Sequence, residues 1–178
     1  MATLPILLYP DPRLREKART VTDFGPGLGA FADDLAETLH ASGGIGISAP
    51  QVGDRRALLV MDLSEDGTDP QLYVNPRILA ADVQALVEES CLSIPGVVGN
   101  VVRSIRIRVR AQDRRGETFE RELADMSAVC LQHEVDHLEG RLFIDRLPLL
   151  RRLQARWVAG RHARETGARA TAPAGVTG

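Results

Sequence analysis

Cysteine is scarce: Cys91 and Cys130 are the only two in 178 residues. That is too few for a disulfide framework, so a small secreted disulfide-stapled scaffold is excluded, and a reducing compartment or thiols kept for chemistry is expected. Long apolar runs are missing as well. No segment approaches roughly 18 consecutive apolar residues, the length a transmembrane helix needs. The opening Met1-Ala2-Thr3-Leu4-Pro5-Ile6-Leu7-Leu8 has no basic region before its apolar run and no small-residue cleavage site after it, so no secretory signal is expected. An excess of positive charge is also absent: the formal net charge is -2, without the basic surplus that nucleic-acid binding usually needs. No internal repeat is visible. The expected setting is cytoplasmic, or the mature part of an organelle protein, with no membrane partner and no sequence-specific nucleic-acid partner.

What is present is enough for one domain with a core around a rigid site. That domain is expected over residues 1–165. A Gly/Ala/Thr-rich tail over 166–178 is expected to be disordered. Tyr9-Pro10-Asp11-Pro12 is a rigid, non-helical entry, and from Pro26 the residues Leu28, Phe31, Ala32, Leu35 and Leu39 fall at helical spacing up to Ser42-Gly43-Gly44. The glycines there predict a backbone at positive φ or a close approach by another group. Strands are predicted at 57–61, at 72–75 and at 103–110, where Ile105, Ile107 and Val109 alternate with arginines. Asp113-Arg114-Arg115-Gly116 reads as a hairpin loop into a strand at 118–123. Asp125 is positioned to N-cap a helix running to Glu139 and bounded by Gly140. A short strand is expected at 142–144 and a helix, basic on one side, over 149–165. Strands in runs with helices segregated from them predict an α+β architecture, mainly antiparallel sheets packed around the central helix of residues 125–139.

That helix carries Gln132-His133-Glu134-Val135-Asp136-His137. An H-E-x-x-H spacing puts two imidazoles one turn apart on one face with a carboxylate beside them, which supplies half a metal site and a general base. A catalytic site of this type holds three protein ligands and leaves one position for water. The pattern with a third histidine would need one at position 143, which is Phe143; the pattern with a downstream glutamate has only Glu165, at the edge of the tail. Cys130 lies one turn before His133 but about 10 Å along the axis from His137, too far for one ion to bind all three, so it is read as lining the site. Cys91, on a separate segment, can approach from another side, although taken alone a buried small hydrophobe is its commoner role.

Three segments in order, Gly44-Ile45-Gly46-Ile47-Ser48-Ala49-Pro50-Gln51, Glu89-Ser90-Cys91-Leu92-Ser93 and Gln132-His133-Glu134-Val135-Asp136-His137, resemble the three signature motifs of the peptide deformylases, and the resemblance spans residues 7–147. It implies removal of the formyl group from the N-terminal methionine of new polypeptides. It also implies Cys91, His133 and His137 as metal ligands, Glu134 as acid/base, and the Gln51 side chain with the Leu92 backbone N–H as oxyanion donors. One divalent ion is implied, ferrous iron in the cell, with zinc or nickel possible in purified protein. Formylmethionyl peptides and nascent chains are the implied partners. The peptide would pair with the backbone of Gly44, Ile45 and Gly46, and the methionine side chain would enter a pocket formed by Ile45, Val87, Met126, Val129 and Cys130.

The chain departs from the pattern at Ser48, where the family usually has alanine, and at Ser90, where glycine is usual. Neither removes a catalytic atom, and Ser90 is expected to alter peptide preference. Val101-Val102-Arg103-Ser104 replaces a proline-containing run and keeps its arginine. Two rivals remain in view: a zinc endopeptidase with a downstream carboxylate ligand, and a non-catalytic paralogue that holds formylated peptides. The set Arg151, Arg152, Arg156, Arg161 and Arg164 reads as a solvated helix face, with a transient ribosome contact as the alternative.

Overall fold

The computed structural model describes residues 2–165; the tail expected at 166–178 lies outside them. Among these residues three α-helices, α1 (Pro26–Ser42), α2 (Asp125–Leu138) and α3 (Leu149–Glu165), accompany five strands: β1 (Gly46–Ser48), β2 (Leu58–Met61), β3 (Gln71–Glu89), β4 (Gly99–Gln112) and β5 (Thr118–Ala124). The strands form a single antiparallel sheet in the order β1-β2-β3-β4-β5. The α+β class therefore holds, with one sheet where several were expected.

Helix α1 starts on Pro26, whose fixed φ suits the first helical position, and stops at Gly43, which takes the left-handed conformation at φ 66. It buries Leu28, Leu35 and Leu39 in one cluster with Leu58 and Val60 of β2. The alternate residues of β2, Leu59 and Met61, belong to a second apolar cluster with Ala128 and Leu131 of α2. All four residues of β2 are buried, so its continuous apolar run reflects helices on both faces. A third cluster, including Leu14, Ile94, Val101, Phe143 and Ile144, packs beneath α3 through Ala155 and Ala159.

Strand β3 is much longer than the expected 72–75, and it pairs with β4 from Val74↔Gln112 to Glu89↔Gly99. Two irregularities explain why the sequence concealed it. Pro76 falls within a bulge between Val74 and Arg77, the position in a strand where the missing N–H costs least. There Asn75 sits at φ 50 and its side chain bonds the Val21 backbone in both directions, at 2.8 and 2.9 Å. Beyond the bulge most residues are exposed, which erases the period-two signal.

Two local expectations are corrected. Asp125 does not cap α2; it is the first helical residue at φ 51, and Ala124 occupies the cap. Ser127 Oγ there accepts from the Ala124 N–H at 3.2 Å and donates to the Ala124 carbonyl at 2.6 Å. Residues 142–144 form no strand: Phe143–Arg146 is a 3-10 turn, closed by Asp145 accepting from the Leu142 N–H at 3.0 Å. Its apolar run marked burial rather than extension, for Phe143 and Ile144 are both core residues.

Candidate active site

Helix α2 runs beneath the sheet in contact with β1, β2, β4 and β5, and residues 133–137 occupy its last turns. One helical turn brings the His133 and His137 rings to 5.1 Å between centroids. Cys91 arrives from the segment that follows β3, where the Ile94 N–H bonds the Cys91 carbonyl at 2.9 Å and buried Ile94 anchors the turn. One ligand atom each from Cys91, His133 and His137 lies within 4.8 Å of the others, and Cys91 Sγ is 3.3 Å from His137 Nε2. A thiolate and two imidazoles form a donor set suited to a divalent ion, so these three residues fit one.

The surroundings orient that set. Glu89 Oε2 accepts from His133 Nδ1 at 2.7 Å, which leaves Nε2 for the ion in the carboxylate–histidine–metal arrangement. Glu89 in turn accepts from Arg103 Nε at 2.6 Å and Nη2 at 3.0 Å, Arg103 Nη1 donates to Asp136 at 2.7 Å, and Arg146 donates twice to Asp136 at 2.6 Å. Burial alone would lower the His133 pKa, yet Cys91 and Glu89 push it well up. For His137, burial and the neighbouring His133 push it well down; a neutral imidazole is the form that binds metal, so an ion at His133 has to displace the proton that Cys91 and Glu89 favour.

Burial lifts the Glu134 carboxyl to about 7, and its Oε2 has no hydrogen-bond partner among the described residues. A cation held beside it would draw it down again. Strand β1 delivers the chain into a 3-10 turn, Ala49–Val52, that brings Gln51 to the same place. Gln51 Nε2 lies 3.8 Å from Cys91 Sγ and 3.3 Å from Ser93 Oγ. The positive φ belongs to Gly43, just before the first motif, whereas Gly46 within it meets the other expectation, close approach. A Cβ on Gly46 would stand 2.5 Å from Cys130 Sγ and 3.0 Å from Glu134 Oε1. Cys130 lines the site as a thiol, since burial, then Glu134 and Glu89, push its pKa well up.

A cavity of about 590 Å³ opens over these groups. Its walls include Gly44, Ile45, Gly46, Gln51, Cys91, Leu92, Met126, Val129, Cys130, His133 and Glu134. Val87, expected in the same pocket, is not part of the wall: it pairs across the sheet with Val101, a residue of the cluster under α3, while Glu88 and Glu89 face the cavity. Glu89, Arg103, Asp136 and Arg146 were missed as site residues by sequence reasoning. One signal was available: the inward alternation of β4 that buries Val101, Ile107 and Val109 also buries Arg103, and an arginine on a core face requires buried carboxylates.

A buried Cys/His/His ligand cluster, a buried carboxylate beside it whose Oε2 has no partner among the described residues, and an apolar cavity above it, on an α+β scaffold, define a hydrolase of the single-metal type. Residues 3–153 match the family model described as polypeptide deformylase. The chain is 48% identical to a peptide deformylase of Alkalilimnicola ehrlichii over 88% of each chain, and 43% identical to that of Azotobacter vinelandii over 94% of this chain and all of the relative. The crystal structure of a peptide deformylase from Legionella pneumophila superposes with a TM-score of 0.89 at 38% identity, covering 94% of this chain and 99% of that one. The chain belongs to the peptide deformylase family.

Proposed function

We propose that this chain removes the formyl group from N-terminal formylmethionine of newly made polypeptides and releases formate. The observation that carries the reading is a cavity lined by Cys91, His133, Glu134 and Gln51, with His137 clustered against Cys91 and His133, in a chain of this family. Cys91, His133 and His137 would hold one divalent ion, ferrous iron in the cell and zinc or nickel in purified protein, which supplies Lewis acidity and makes water a better nucleophile near neutral pH.

The chain's own residues divide the remaining work. Glu134, ionised at the start, takes a proton from the attacking water and later passes it to the leaving amine nitrogen. Attack on the formyl carbon places negative charge on the formyl oxygen, toward which Gln51 Nε2 and the Leu92 N–H donate; one such donor is typically worth about 3 kcal/mol. The peptide adds to β1, an edge strand paired among the described residues only with β2, along Gly44, Ile45 and Gly46. Its methionine side chain enters among Ile45, Met126, Val129 and Cys130. The helix α2 serves as the central support, and residues 1–165 act as one catalytic domain.

The setting is cytoplasmic; among the described residues no helix is long and apolar enough to cross a membrane. For the basic set Arg151, Arg152, Arg156, Arg161 and Arg164 on α3, of which the Arg164 side chain lies outside the described residues, a solvated helix face is the first reading and a transient ribosome contact the alternative, which unchanged ribosome co-sedimentation after charge reversal would remove. The activity is tested by anaerobic loading with ferrous iron or nickel and measurement of formate from formyl-Met-Ala-Ser beside acetyl-Met-Ala-Ser, with Glu134→Ala as control. Formate from the first peptide only, lost in a mutant that still binds metal, is the expected result. No formate from folded, metal-loaded protein would sink it.

A further inference from the structure

The two ends of a glutamine carboxamide have nearly the same size, and which end faces the reacting group depends on what holds the other. Gln51 Oε1 accepts two bonds from a single residue, the Ser48 N–H at 2.9 Å and the Ser48 hydroxyl at 2.9 Å. A backbone N–H can only donate, so the end at Ser48 must be the oxygen. Nε2 is thereby turned toward Cys91 Sγ and Ser93 Oγ. Ser48 is 0% exposed and Gln51 1%, so no bulk water competes for the bond. The backbone N–H would be present whatever residue stood at position 48; the hydroxyl is the contribution of serine, at a position where the motif it resembles usually has alanine.

We propose that Ser48 is a positioning residue for the hydrolysis: its hydroxyl, bonded to Gln51 Oε1, locks the carboxamide so that Nε2 is already aimed over the Cys91 sulfur when charge develops on the formyl oxygen. An amide held at one end by two donors loses less freedom on bonding the oxyanion at the other. The inference rests on the deformylase reading of the site. It also competes with a second route, because the Ser48 hydroxyl reaches the Glu134 carboxyl as well.

Ser48→Ala removes the hydroxyl and keeps the N–H. In the metal-loaded enzyme kcat for formyl-Met-Ala-Ser should fall about three- to tenfold, the worth of one such bond, with KM near the wild-type value. The effect should vanish when Ser48→Ala is combined with Gln51→Ala. A readout independent of turnover is hydrogen exchange of the Gln51 side-chain amide in isotope-labelled, zinc-loaded protein, which should be several-fold faster in Ser48→Ala. Unchanged kcat and exchange would overturn the proposal. So would an equal loss in the Gln51→Ala background, which would place the effect on Glu134. If wild-type protein released no formate while Ser48→Ala still freed the Gln51 amide, positioning would stand and the hydrolase reading would fall.

Discussion

Two arginines on the same strand, β4, carry the same charge in opposite settings. The Arg103 side chain is 1% exposed and bridges Glu89 and Asp136, whereas that of Arg110, seven residues on and therefore on the other face, is 54% exposed and among the described residues pairs only with Glu120. At the surface, water solvates either partner as well as the other does, and screening leaves such a pair little net worth. In the core no water replaces a lost partner, so each member of the Arg103 network depends on the rest. The inner network also reaches His133, a member of the Cys/His/His cluster, through Glu89. Charge on one face of the strand orients His133 of the Cys/His/His cluster; charge on the other face is solvated.

Replacing the inner arginine should break the comparison most severely. Arg103→Met leaves Glu89 and Asp136 buried without their shared partner and should destabilise the fold by about 3–5 kcal/mol, read by urea unfolding at neutral pH. The same variant should change acid sensitivity. Burial alone would raise both carboxyls, but His133 and Arg103 around Glu89, and Arg146 and Arg103 around Asp136, hold both below the ordinary carboxylate value. Their stabilisation is therefore complete above the unfolded-state pKa of about 4 and is lost as pH falls through the lower folded values. Wild-type stability should drop steeply below about pH 4, and Arg103→Met should flatten that drop. A parallel fall in both proteins would contradict the assignment.

Smaller changes sharpen the contrast. Glu89→Gln keeps the shape but weakens the bond to His133 Nδ1, and zinc affinity in a chelator competition should decline about 10- to 100-fold. Ser90→Gly should alter relative rates on formyl peptides that differ after methionine; identical ratios would remove Ser90 as a specificity residue. Least of all, Arg110→Met should cost less than about 1 kcal/mol in the same urea experiment.

The ligand candidates His133 and His137 were legible because a spacing of four on a helix is a local property that any amphipathic α2 must express. Cys91 needed the resemblance, since nothing within its own segment separates a ligand from a buried thiol. Glu89, 44 residues from the histidine it orients, could be found only through the inward parity of Arg103, and the sequence does not say which carboxylates that parity brings together. Strand β3 went unseen over most of its length for a related reason: it is held by cross-strand bonds to β4, and a mostly exposed strand writes no apolar alternation into its residues.

By itself, then, the sequence determined the helical periods, the buried faces and the three motifs, because these depend on neighbours within a few residues. The tertiary structure alone decided that Val87 lies beside Val101 rather than in the cavity, that residues 142–144 form no strand, and that one buried arginine bridges Asp136 and the Glu89 carboxylate that holds His133. Those outcomes depend on register and on which charges share a low-dielectric interior, and both are set only when distant segments pack together.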